Sequence, residues 1–154
     1  MKARWIRLGR LDVIEFEQAI AHLAGAQPAS AAPILAWAER EDEFVFALIA
    51  PRKYAPGRVQ RWLAWALASA VATYRQFGVP AYLEGDTVAL HGATIARGSA
   101  QAIGECAVVA SRFLRRWPSR ELEDVFRVRL EAQHGWQFDH SWPSKPETVR
   151  YALA

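Results

Sequence analysis

Gly85-Asp86-Thr87-Val88-Ala89-Leu90-His91-Gly92-Ala93-Thr94-Ile95-Ala96-Arg97-Gly98-Ser99-Ala100-Gln101 is the stretch whose reading decides the fold. Its apolar and polar residues group into β-type runs at Thr87–His91 and Ala93–Ala96, and a similar run, Ala81–Glu84, precedes it. His91-Gly92 has the composition of a tight hairpin turn, where positive φ is needed. A longer run from Ile103 to Leu114 carries small and apolar residues on both alternating faces, as a central strand does.

Working outward, Val59, Trp62, Leu63, Ala66, Ala70, Tyr74 and Phe77 recur at helical period. They predict a helix over 57–77 lying flat on a sheet, stopped by Gly78 and Pro80. Upstream, Trp5 to Leu8 reads as a strand. Asp12 with Glu15 has capping-box spacing ahead of Val13, Phe16, Ile20, Leu23 and Ala24, which predicts a helix over 12–24. Ile34–Ala38 and Phe44–Ile49 flank the acidic turn Glu39-Arg40-Glu41-Asp42-Glu43 and read as an antiparallel hairpin. Phe44–Ile49 is apolar at every position, so both of its faces should be covered. Downstream, Ser119 can cap a helix over 120–133 with Leu122, Val125, Phe126 and Leu130 inward and Glu121, Glu123 and Asp124 in its first turn. The tail after Gly135 holds Trp136, Phe138 and Trp142, too aromatic to be left in water, and is expected to pack on the body.

A chain of 154 residues is one domain by length, and 52% apolar residues exclude intrinsic disorder. No apolar run approaches the roughly 18 residues of a membrane span, and no signal-peptide core follows Met1-Lys2-Ala3-Arg4-Trp5, so a cytoplasmic location is expected. A single cysteine, Cys106, allows no intrachain disulfide. The net charge of +3 is too small to argue for nucleic acid. Lysines occur only at 2, 53 and 145, which restricts any lysine-dependent chemistry.

The quoted stretch resembles a signature of the biotin/lipoate protein ligases. In that family an acid opens a strand, and a tight glycine turn leads into Lys-Ile-(Ser/Ala)-Gly, often followed by Ser-Ala-Gln. Here Asp86 is similar to the acid, Gly92 to the turn, Ile95 and Ala96 to the middle, and Gly98-Ser99-Ala100-Gln101 to the end. Phe77-Gly78-Val79-Pro80-Ala81 also resembles the family's helix end and strand entry. The resemblance covers about the last two-thirds of the chain. It implies an α+β fold: a mixed, largely antiparallel sheet with helices packed on it, like the class II synthetase-like catalytic domain of these ligases. The whole of 1–154 would form one such domain, with 135–154 an aromatic tail on the body.

The resemblance also implies a groove at Asp86, Thr94, Arg97, Gly98 and Gln101, where the family holds its acyl-adenylate. Two departures bear on activity. The family lysine aligns with Thr94, and Arg97 reads as a one-residue insertion, a shift that points its side chain to the other face of the strand. The family's Arg-Arg-x-Thr-Gly-Gly-Gly segment is absent, and Phe44–Ile49 runs almost straight into the long helix. No catalytic residue is therefore assigned. The expectation is a non-catalytic binding or accessory protein without a cofactor, the partner being a lipoyl-type carrier domain or a second ligase-like chain. The alternative is an active or split lipoate/octanoate ligase or acyltransferase using ATP and lipoate.

Each residue also has a plainer reading. Asp86 suits a turn that bonds its own backbone, and Thr94 an ordinary strand. Cys106 has no histidine neighbour in sequence to activate it and reads as a buried thiol. His22, His91, His134 and His140 lack metal-ligand spacing, and Asp139-His140-Ser141 is sequence adjacency rather than triad geometry. Arg112, Arg115, Arg116 and Arg120 around Trp117 suit phosphates, an acidic carrier domain or simply a solvated strand end. No phosphate-binding loop or dinucleotide fingerprint occurs.

Overall fold

A computed structural model describes residues 1–40, 43–114 and 119–139. β1 (Lys2–Arg10) is followed by α1 (Val13–Gly25) and by the hairpin of β2 (Ile34–Glu39) and β3 (Glu43–Pro51). Two 3-10 turns, Arg52–Tyr54 and Val59–Arg61, lead into α2 (Trp62–Gln76). Then come β4 (Tyr82–Glu84), β5 (Thr87–Leu90), β6 (Ala93–Ile103), β7 (Cys106–Leu114), α3 (Ser119–His134) and β8 (Gln137–Asp139). The strands form one sheet in the order β4-β5-β6-β7-β3-β2-β1-β8. β1 pairs in parallel with β2 and β8, and every other pairing is antiparallel.

Alternation along the strands divides the core between two faces. Leu35, Trp37, Phe44, Phe46, Leu48, Val109 and Phe113 point to α2 and α3, where Trp62, Ala66, Leu67, Tyr74, Leu122, Phe126 and Leu130 meet them. Ile34, Ala36, Val45, Ala47, Ile49 and Val108 point the other way, against Phe16, Ile20 and Leu23 of α1. β3 is covered on both sides, as its uninterrupted apolar sequence requires.

The capping box of α1 is present: Glu15 N–H donates to Asp12 Oδ1 at 2.7 Å, and Asp12 N–H donates to Glu15 Oε1 at 3.2 Å. Three expectations need correction. The α2 helix begins at Trp62 rather than near 57, because the chain turns as 3-10 over Val59–Arg61. Val59 and Phe77, expected on its core stripe, are exposed at 49% and 36%. The central strand begins at Cys106, not Ile103: Gly104, at φ +56°, turns the chain so that Ile103 closes β6 and pairs with Cys106.

Of the tail, residues 136–139 are described: Gln137–Asp139 add an extra strand beside β1, with Trp136 and Phe138 buried, and 140–154 lie outside the described residues. Glu123, expected as a helix-dipole acid, is buried and accepts from the Trp5 indole. Residues Arg115, Arg116, Trp117 and Trp142, and the side chains of Ser119 and Arg120, lie outside the described residues. Among the described residues no helix is long and apolar enough to cross a membrane.

Candidate functional site

β5 and β6 meet at His91-Gly92, whose φ angles of 51° and 79° belong to a two-residue hairpin turn. Two steps on, the ladder slips. Ala89 pairs with Thr94 and Val88 with Ala96, leaving Ile95 as an extra residue on β6. Ile95 and Ala96 both enter the core under α2, the signature of a β-bulge. The apparent insertion is thus absorbed within one step of the strand. Arg97 is not sent to the far face: it lines a shallow depression of about 180 Å³ together with Thr94, Glu43 and Arg112. The one-residue shift changes orientation only in an unbulged ladder, which explains the error in the sequence-based expectation.

This depression adjoins a groove of about 600 Å³ between α1 and the β6–β7 pair. Arg40, Arg97 and Arg112 line it with Glu17, and Phe16, Ile20, Ala21 and Ile103 supply apolar walls. Arg40 Nε donates to the carbonyl of Leu11 at 3.1 Å, which anchors the polar end near the start of α1. A Cβ built on Gly104 would lie 4.0 Å from the Cα of Gly25, so the last turn of α1 sits over the β6–β7 turn. The groove therefore runs from a cationic end to an apolar end.

Glu43 organises the cationic end. Arg112 contacts both of its carboxylate oxygens, at 3.0 and 3.2 Å, and Arg40 binds the same carboxylate. Arg97 stands directly opposite Arg112 on the neighbouring strand. Among the described residues Arg97 has no carboxylate partner for its guanidinium, while its carbonyl accepts from Ser111 Oγ at 2.9 Å.

Of the expected site residues, Arg97, Gly98 and Gln101 line the groove, and Thr94 and Arg97 line the adjoining depression. Asp86 lines neither. It sits exposed in the Gly85-Asp86 turn, and what it supplies is its backbone carbonyl, accepting from Gly98 N–H at 2.9 Å. Gly98 also answers to packing: a Cβ there would come within 2.8 Å of Leu63 Cδ2 and 3.1 Å of Leu67 Cδ1 on α2. Sequence reading missed Glu43 and Arg40, which lie in an acidic turn far from the motif, and left Arg112 in a different cluster. The pairing of β3 with β7 brings them together.

Cys106 is fully buried, and its thiol is pushed up by burial and by Glu105, so it is held un-ionised. Among the described residues no group of His, Cys, Asp or Glu could hold a metal ion. Lys2 and Lys53 line neither depression.

This architecture is that of the lipoate/biotin ligase-like catalytic domain. The bi-partite lipoate protein ligase of Thermoplasma acidophilum, whose study included its E2 lipoyl domain, superposes with a TM-score of 0.80 at 8% identity, over 99% of this chain and 92% of that one. LipL1 of P. falciparum in complex with lipoate gives 0.67 at 6% identity, over 97% and 70%. Biotin protein ligase from Aquifex aeolicus gives 0.61 at 14% identity, over 86% and 69%. No family model and no curated protein sequence matches this chain.

Proposed function

We propose that this chain is a non-catalytic binding or accessory protein, which keeps the ligase-like scaffold and holds an acyl group in the groove beside α1. The acyl group would be free or carried on a lipoyl-type domain. The observation that carries this reading is the lining of the groove: guanidiniums at one end, apolar walls at the other, and no lysine among the described residues on either depression. An amphiphilic acid matches that division, with its tail desolvated and its head near cations. Proteins of similar fold have been solved with lipoate or studied with a lipoyl domain, which is why that chemistry is the one to test.

Acyl activation by ATP asks for more. Phosphates need converging backbone donors, and the developing charge needs a fixed cation at the reacting atoms. Among the described lining residues Gly98 is the only glycine. On this reading the groove takes no nucleoside triphosphate. Incubation of the chain with ATP, lipoate and an apo carrier domain should leave the carrier's mass unchanged. Lipoate or octanoate should still shift the amide resonances of Arg97, Ser99 and Gln101. Absence of those shifts would remove the binding reading.

A second reading, an active or split ligase or acyltransferase, is favoured by one observation. The bulge at Ile95 leaves Arg97 beside Thr94. A lipoyl mass increment above the no-enzyme control, abolished by Arg97→Met, would establish it in place of the first.

A further inference from the structure

Two arginines directly opposite each other on adjacent strands repel, and such a pair normally weakens a sheet. Arg97 and Arg112 occupy such positions at the mouth of the groove, with Arg40 beside them. Glu43 saturates Arg112 and Arg40, and Arg97 has no carboxylate among the described residues. Counting the described groups that line the two depressions, three guanidiniums face two carboxylates, Glu17 and Glu43. Among these described groups the net charge is +1, and Arg97 is the guanidinium without a described carboxylate partner.

We infer that Glu43 is a selectivity residue, which sets this mouth to accept an amphiphile with a monoanionic head and to reject a dianionic one. The inference rests on the acyl-binding reading and adds the charge of the head group that the site tolerates. A carboxylate can pair with Arg97 and share the facing Arg112 without displacing Glu43. A dianionic phosphate would bring its second charge close to the Glu43 carboxylate, where like charges in a partly desolvated site oppose each other. The apolar walls formed by Ile20, Ala21 and Ile103 contribute equally to both ligands, because they contact only the tail.

Octanoate and octyl phosphate share that tail and differ in the head, and at about pH 8 the phosphate monoester is mainly dianionic. Calorimetric titration of both against the wild-type chain should show tighter binding of octanoate. Glu43→Gln should move the ratio of the two affinities toward octyl phosphate by about tenfold, the effect of roughly 1.4 kcal/mol. Arg97→Met removes an exposed side chain without a carboxylate partner among the described residues, so the fold is retained and octanoate should weaken about tenfold or more. If Glu43→Gln leaves the ratio unchanged while octanoate still binds wild type, the selectivity inference fails and the acyl-binding reading stands. Unchanged octanoate binding in Arg97→Met likewise defeats the inference, and decides the matter if Glu43→Gln does not fold. If neither amphiphile binds wild type, both readings fall.

Discussion

The indole Nε1 of Trp5 donates to Glu123 Oε1 at 3.0 Å, joining β1 to α3 across 118 residues of chain. Arg7 pairs with the same carboxylate oxygen at 2.8 Å. Trp5 is itself wrapped by aromatic rings: Trp37 stacks at 5.8 Å, and Phe126 and Phe138 present their edges at 6.2 and 5.2 Å. Glu123→Ala would leave the buried indole N–H without an acceptor and should cost about 1–3 kcal/mol. Burial raises the Glu123 carboxyl above its usual range, and Arg7 and the indole hydrogen bond only partly oppose this. An acid with a raised folded-state pKa contributes stability below its unfolded pKa and loses it as pH rises through the folded value. The stability advantage of wild type over Glu123→Gln should therefore shrink from about pH 4 upward. Urea titrations of both proteins at acid and neutral pH check this; an advantage that grows with pH would contradict it.

His134 should act in the opposite sense. Its ring stacks on Trp136 at 4.3 Å and meets the edge of Trp65 at 5.3 Å, and its Nε2 is buried without a hydrogen-bond partner among the described residues. Burial lowers its pKa from 6.5 to about 4. The neutral ring thus contributes stability above its unfolded pKa, lost progressively as pH falls toward about 4. His134→Phe keeps the stacking and removes the titration, so its melting temperature should fall less than that of wild type between pH 7 and 4.5. Equal falls would show that His134 is accessible to protons in the folded state.

Gly98→Ala tests whether that glycine serves packing. The added methyl would press on Leu63 Cδ2 at 2.8 Å. Because that atom is a flexible side-chain end, the loss should sit near the lower end of the about 1–3 kcal/mol typical of overpacking. Adding Leu63→Ala should make the methyl itself nearly neutral, a coupling that a double-mutant cycle in denaturant measures. Additive losses would mean that the crowding lies elsewhere.

Trp62→Ala should cost about 3–5 kcal/mol, since the ring is buried and its Nε1 donates to the Pro56 carbonyl at 2.7 Å. Arg61, in the 3-10 turn just before this helix, and Arg75, within it, are exposed and should tolerate alanine far better. A loss below 1 kcal/mol for Trp62→Ala would put the helix stripe on the surface.

Two truncations isolate β8. A chain ending at Asp139 keeps the parallel pairing of Lys2–Arg4 with Gln137–Asp139, and one ending at His134 loses it. The shorter chain also loses Phe138 from the ring around Trp5. Its melting temperature should be several degrees lower, as the loss of a few kcal/mol implies for a domain of this size. Coincident transitions would mean that the strand adds nothing.

Much of the fold was legible because local chemistry agreed with the tertiary result. Asp12 and Glu15 do form the reciprocal cap of α1, and His91-Gly92 does make the turn its composition suggests. The start of α2 was not legible, because Val59 continues the helical period although the backbone there is 3-10 and the side chain faces water. The bulge escaped for a related reason. Ile95 and Ala96 read as consecutive strand residues, and only the pairing with Val88 and Ala89 reveals the extra one. The site was the least legible part. Glu43, Arg97 and Arg112 come from three strands, and their meeting depends on register between β3, β6 and β7 rather than on any spacing in the chain.

The neighbour relation of β1 and β8 sets a schedule for the ribosome. Residues 2–4 leave the exit tunnel before the strand that pairs with their outer edge, 137–139, which is made more than a hundred residues later. Until then the edge of β1 offers unpaired backbone groups, and the Trp5 indole awaits the acceptor that arrives with α3. Throughout that interval the nascent chain carries a sticky, half-built sheet margin. That margin is where a holdase chaperone would find its grip, and slowing translation between the two strands would prolong its exposure.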